Sequence, residues 1–143
     1  MNPISTIFTI IDLNYKTYEL KSATYTGQND ISTKFRINKT SNLISVRLTY
    51  TTAENAFPFF LNTTGELTSQ YKKLGNANQI VESLITVLIP ILYDNIRATI
   101  GSLTLIGGHQ AFLGASRSEI IANHSTPDHK KLLKQQATQM LKS

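Results

Sequence analysis

Few residues in this chain are of a type and spacing that could do chemistry. The imidazoles are His109, His124 and His129. His124 and His129 flank a helix start with Asp128 beside them, a spacing that could hold a metal ion. No ligand motif frames them, so a surface coincidence is the simpler reading. His129 also lies near the positive end of that helix, which disfavours its own protonation. Gly101-Ser102 lacks the strand–turn–helix setting of a nucleophile elbow. Gly107-Gly108 lacks the Gly-Lys-Ser/Thr ending of a phosphate loop. Glu66, Glu82 and Asp94 are scattered, without paired-carboxylate spacing. Cysteine is absent, which removes thiol catalysis, thiolate metal sites and disulfides together. No enzyme, metal or cofactor is therefore expected.

The chain has 143 residues, the size of one ordinary domain, and at 41% hydrophobic residues it can build a core. Its net charge is +5, from 14 basic and 9 acidic residues. Clustered Lys and Arg would point to nucleic acid. Here part of the excess lies in the tail, at Lys130, Lys131, Lys134 and Lys142, as an evenly solvated face would. A basic nucleic-acid module stays the weaker alternative. The start, Met1-Asn2-Pro3-Ile4, has neither a basic segment nor an apolar core. No signal peptide is expected, and with no cysteine the cytoplasm is the expected compartment.

The elements that must position any site begin with strands. Ile7–Leu20 is rich in β-branched and aromatic residues, with a bend or bulge expected around Asp12 to Asn14. Ser22–Asp30 reads as a crossover. A second strand covers Thr33–Asn38, and Lys39-Thr40-Ser41-Asn42 is a hairpin turn. The third strand alternates cleanly, with Val46, Leu48 and Tyr50 facing one way and Ser45, Arg47 and Thr49 the other. Such alternation predicts an antiparallel sheet buried on one face. A fourth strand starts near Phe57-Pro58-Phe59-Phe60-Leu61, where Pro58 marks an edge or bulge.

From about Asn78 the period changes. Ile80, Val81, Leu84, Leu88, Ile91, Leu92, Ile96 and Ile100 recur at helical spacing. Pro90 lies inside the run and should kink or divide the helix. The densest apolar stretch, Leu84–Leu92, is far short of the ~20 residues of a membrane span. A helix this apolar needs cover on more than one side, and one four-stranded sheet covers only one. Self-association is the simplest cover, through Leu84, Leu88, Ile91 and Leu92. The last helix is opened by Ser125 or Thr126 and Pro127, with Leu133, Ala137 and Leu141 in line and Leu132 and Met140 widening the stripe. The layout is one domain: sheet over 1–75, main helix and exit over 76–106, linker over 107–125 and C-terminal helix over 126–143. Four strands followed by helices make an α+β fold. A thioesterase-like hot-dog domain also wraps a sheet round an apolar helix, but its helix normally lies early, between strands.

This order, with particular residues in place, resembles the SecB family of export chaperones. Phe8-Thr9-Ile10-Ile11-Asp12 leading to Tyr15-Lys16-Thr17-Tyr18-Glu19 looks like that family's first strand. Ala56 to Leu67 looks like its fourth strand, and Ile89-Pro90-Ile91-Leu92-Tyr93-Asp94-Asn95-Ile96-Arg97 resembles its main-helix signature. The resemblance implies a four-stranded antiparallel sheet, a long main helix and a C-terminal amphipathic helix. It implies self-association as a dimer or dimer of dimers, and apolar grooves that hold unfolded polypeptide without nucleotide. Tyr25, Phe57, Phe59, Phe60, Phe112 and Leu113 are the residues expected in or beside such a groove; core and interface packing is the alternative for the three Phe of 57–60.

Two departures matter. Gly107-Gly108-His109-Gln110 stands where the family commonly has a Pro-rich segment. The family docks its motor through an acidic sheet face, whereas the matching strands here carry Lys34, Arg36, Lys39 and Arg47. Like charges oppose each other across an interface, so motor docking is not expected. A toxin–antitoxin chaperone, or a regulatory or structural partner on the same fold, fits these charges better.

Overall fold

The computed structural model describes residues 1–17, 29–52, 59–106 and 117–143. Four strands form one antiparallel sheet: β1 (Pro3–Thr17), β2 (Asn29–Asn38), β3 (Leu43–Thr52) and β4 (Phe59–Tyr71). Their spatial order is β1-β4-β3-β2. Strands β2, β3 and β4 follow one another as a meander, and β1 returns beside β4, a Greek-key arrangement. Consecutive β1 and β2 therefore lie at opposite edges.

The alternation read from the third strand holds. Ile44, Val46, Leu48 and Tyr50 are buried, as are Phe59, Leu61 and Leu67 on β4. Ser45, Arg47 and Thr49 face the other side, where each pairs with a residue of β4. The β2–β3 turn closes on Lys39–Asn42. The Ser41 amide donates to Asn38 Oδ1 at 3.1 Å, and Asn42 adopts a left-handed φ of 54°. Asn tolerates that region better than other residues with a Cβ.

Strand β1 carries two bulges, at Ile4 and Ile11, where the register with β4 slips by one residue. The second falls just before the expected Asp12–Asn14. Thr63 Oγ1 donates to the freed Asp12 carbonyl at 3.0 Å and holds the slip in place. After it, the inward positions shift from Phe8 and Ile10 to Leu13 and Tyr15.

The helical half starts at α1 (Ala77–Ser83), passes through a π-helical turn (Leu84–Leu88) and continues as α2 (Ile89–Ile106). A capping box opens α1. Asn76 Oδ1 accepts from the Gln79 amide and Gln79 Oε1 from the Asn76 amide, each at 2.9 Å. The irregularity expected at Pro90 appears as the π turn just before it, where the Ile89 amide reaches the Leu84 carbonyl. Pro90 has no amide to donate and its ring crowds the preceding turn, which a widened turn accommodates. Residues 77–106 are long and apolar enough in composition to cross a membrane, but most of their apolar window is buried in the fold.

Two shorter helices finish the chain. Within the stretch read as a linker, α3 (Arg117–His124) is anchored by Ile120 and His124. Helix α4 (Pro127–Lys142) has Thr126 as N-cap and Pro127 at its first turn. It buries Leu133 and Ala137, while Leu132 stays 49% exposed and does not widen the stripe.

These helices supply the cover that was expected from another copy. Helix α1 packs on α4, and α2 packs on β3, β4 and α3. Leu84, Leu88 and Leu92 are wholly buried within the single chain, so the expected contact between copies cannot use their side chains; Ile91 is half-buried. Helix α2 sits close on the sheet because Gly65 has no side chain. A Cβ there would lie 2.8 Å from Ile96 Cγ1.

Candidate functional site

His124 and His129, the imidazoles among the described residues, pack against each other. His124 is buried between α3 and the sheet. Its Nδ1–H donates to the Ile120 carbonyl at 2.9 Å, so Nε2 is left to accept from Thr33 Oγ1 at 3.4 Å. The His129 ring meets it edge-on, with centroids 4.9 Å apart. Burial, and then the neighbouring His124, push the His129 pKa down. The helix end invoked from sequence is not the leading cause. Among the described residues no group of three His, Asp or Glu could hold a metal ion; His109 lies outside them. Carboxylates are dispersed as expected: Glu66 pairs with Arg47 at 2.6 Å, and Asp94 with Arg117 at 3.6 Å. The buried Tyr50 phenol is no better as a reagent. Burial and Tyr93 hold the Tyr50 phenol far above the ordinary range, so it stays protonated.

The surfaces are more informative. Of the expected groove residues, Phe59 is wholly buried on the helix side of the sheet and stacks obliquely on Tyr15 at 5.8 Å. Phe60 points to the opposite face, half-buried across from Lys16. The two rings cannot line one groove, because successive strand residues face opposite sides. Tyr25, Phe57, Phe112 and Leu113 lie outside the described residues.

A different apolar surface stands free. Ile4, Ile7, Ile11 and Leu13 on β1 are between 42% and 66% exposed. They lie along a fifteen-residue strand that, among the described residues, pairs on one side only; Ile7 faces the helix-free side across from Thr68, Leu13 the helix side across from Thr63, and Ile4 and Ile11 sit at the bulges. At the end of α2, Leu105 and Ile106 are exposed as well. The sequence carried a signal for the first patch. Ile7, Phe8, Ile10, Ile11 and Leu13 place apolar side chains on both faces of one strand, which a single core cannot cover. Ile4 and Ile11 at the bulges, Ile7 on the helix-free side and Leu13 on the helix side are all left exposed.

The helix-free face of the sheet is polar and tied across the strands. Thr49 and Thr64 hydroxyls are 2.9 Å apart, Ser45 and Thr68 hydroxyls 3.2 Å, and Thr51 donates to Asn62 at 3.3 Å. The expected basic residues Lys34, Arg36 and Arg47 do share this face, and all are exposed.

No protein-family model and no curated protein sequence matches the chain. Among solved structures, the fold is similar to a SecB-like chaperone of Mycobacterium tuberculosis, determined in complex with a peptide from an antitoxin. The TM-score is 0.62 at 11% sequence identity, over 76% of this chain and 83% of that one. The α+β fold expected from the order of elements is thus the SecB-like one.

Proposed function

We propose that this chain is a SecB-like binding protein that captures non-native polypeptide without nucleotide. The observation that carries the proposal is the row Ile4, Ile7, Ile11 and Leu13 along the free edge of β1. A long apolar edge strand left bare invites pairing with another chain. An extended segment can satisfy the edge's backbone groups and set apolar side chains beside these residues on both faces of the strand. Leu105 and Ile106, with Phe60, Tyr25, Phe57, Phe112 and Leu113, would extend the apolar contact. The SecB-like fold supports the reading, and so does the neighbour that holds an antitoxin peptide. Self-association belongs to the same proposal, since a second copy can cover part of this edge. Leu84, Leu88 and Leu92 have no part in it. The cytoplasm is the proposed compartment, and catalysis forms no part of the role.

Aggregation of a chemically unfolded client, followed by light scattering, tests the reading. The chain should suppress scattering near stoichiometry, and Ile7→Glu with Ile11→Glu should abolish suppression without lowering the melting temperature. No suppression by the unaltered chain would refute it. A second reading, a regulatory partner in a toxin–antitoxin setting, draws on the antitoxin peptide of the neighbour. It predicts one stoichiometric partner in a pull-down and no effect on unrelated clients.

A further inference from the structure

Charge of one sign is gathered at one end of the sheet's helix-free face. Lys34 on β2 stands directly across from Arg47 on β3, and Arg36 follows two residues on, across from Ser45. Lys39, at the turn, lies outside this row and reaches toward α4 instead. Like charges directly opposed on adjacent strands destabilise a sheet. Little on this face relieves them. Glu66 holds Arg47 at 2.6 Å, and Asp30 lies at the far end of β2, across from Thr51. Lys34 and Arg36 make no ion pair among the described residues. Lys39 Nζ donates to the Leu141 carbonyl at 2.8 Å, tying the turn to the end of α4.

The row borders a trough. A hollow of about 300 Å³ lies between Lys34, Arg36, Arg47 and Glu66. Arg36 and Ser45 also line a second hollow of about 450 Å³, which passes Leu43 and turns round the end of the sheet to Met140 on α4. The two therefore adjoin. We propose that this trough docks an acidic, extended polypeptide segment with carboxylates at alternate positions, on the opposite side of the sheet from the core.

Spacing and composition both select that partner. An extended chain places alternate side chains about 6.6 Å apart on one side, the repeat that separates Lys34 from Arg36. The Arg36 guanidinium can take a carboxylate through two parallel hydrogen bonds. Nucleic acid fits less well. Phe35 adjoins the trough but is packed in the core, so no ring there is free to stack on a base.

Fluorescence anisotropy with labelled octapeptides tests the proposal on the full chain. A peptide alternating Glu and Thr should bind, its Gln–Thr counterpart should bind at least tenfold more weakly, and affinity should fall with salt. Lys34→Gln with Arg36→Gln should weaken the Glu peptide at least tenfold while the melting temperature holds or rises and the m-value stays unchanged. Lys34→Glu with Arg36→Glu should abolish binding. Equal binding of the two peptides, no binding of either, or unaltered binding by the variants would overturn the inference. So would tighter binding of a single-stranded oligonucleotide of equal charge. Both pairs of variants should still suppress client aggregation, so this inference and the holding role fail independently.

Discussion

Replacing Gly65 by alanine measures how closely α2 rests on the sheet. The added Cβ would lie 2.8 Å from Ile96 Cγ1, 2.9 Å from Ile96 Cδ1 and 3.0 Å from Phe8 Cε1. Carbon atoms pack best at about 3.5–4.0 Å, so three neighbours must each give way by roughly half an ångström or more. Forcing a methyl into a packed core costs about 1–3 kcal/mol. Against this, alanine lowers the entropy of the unfolded chain, a gain of about 0.4–1 kcal/mol. The expected net loss is about 1–2 kcal/mol. With a urea m-value of about 2 kcal/mol/M, the midpoint should fall by about 0.5–1 M at fixed protein concentration.

A double-mutant cycle isolates the cause. Ile96→Ala alone should cost about 2–5 kcal/mol, because Ile96 is wholly buried. Adding Gly65→Ala to that background should cost little, since two of the three clashing atoms are gone. The two changes should then couple by at least about 1 kcal/mol. A Gly65→Ala variant as stable as the unaltered chain, or additivity within about 0.4 kcal/mol, would refute the close-approach argument.

Three further outcomes follow from the same physics. His129 has its pKa lowered from 6.5 by burial and by His124, so the unfolded chain takes up the proton first. Stability should be full above about pH 6.5 and fall as the pH drops below it, and His129→Gln should flatten that limb of a pH–stability curve. Asn76→Ala removes the side-chain half of the α1 capping box and should cost about 1 kcal/mol in urea unfolding. Leu88→Ala should cost about 2–5 kcal/mol, with an unchanged mass by light scattering, because Leu88 belongs to the chain's own core.

Period carried most of the fold. The two-residue alternation of β3 fixed which side of the sheet is buried, and the Pro at a helix start and the polar tetrad at Lys39–Asn42 marked an element end and a turn. Helix α3 escaped because its eight residues bury only Ile120 and His124, too few to establish a period. At Leu84, Leu88 and Leu92 the sequence met a different limit, since these side chains are buried within the single chain. An all-round apolar helix shows that cover is needed, yet not whether α4 or another copy provides it. The aromatic run at Phe59-Phe60 was legible as apolar and not as a site, since a strand sends neighbouring rings to opposite faces. The basic row on β2 and β3 was readable because side chains two residues apart on a strand share a face.

The π-helical turn at Leu84–Leu88 sets a phase between two helices. Each residue of an α-helix advances the side chains by about 100° around the axis. Deleting one residue from the turn would let the backbone continue as a regular helix, with better hydrogen bonding on paper. It would also rotate everything from Ile89 onward by roughly that angle relative to α1. Ile96 would leave Gly65, and Leu92 and Ile100 would swing off the sheet while α1 kept its hold on α4. The turn thus works as a fixed offset between two meshed gears, and the irregular segment is what allows both to engage.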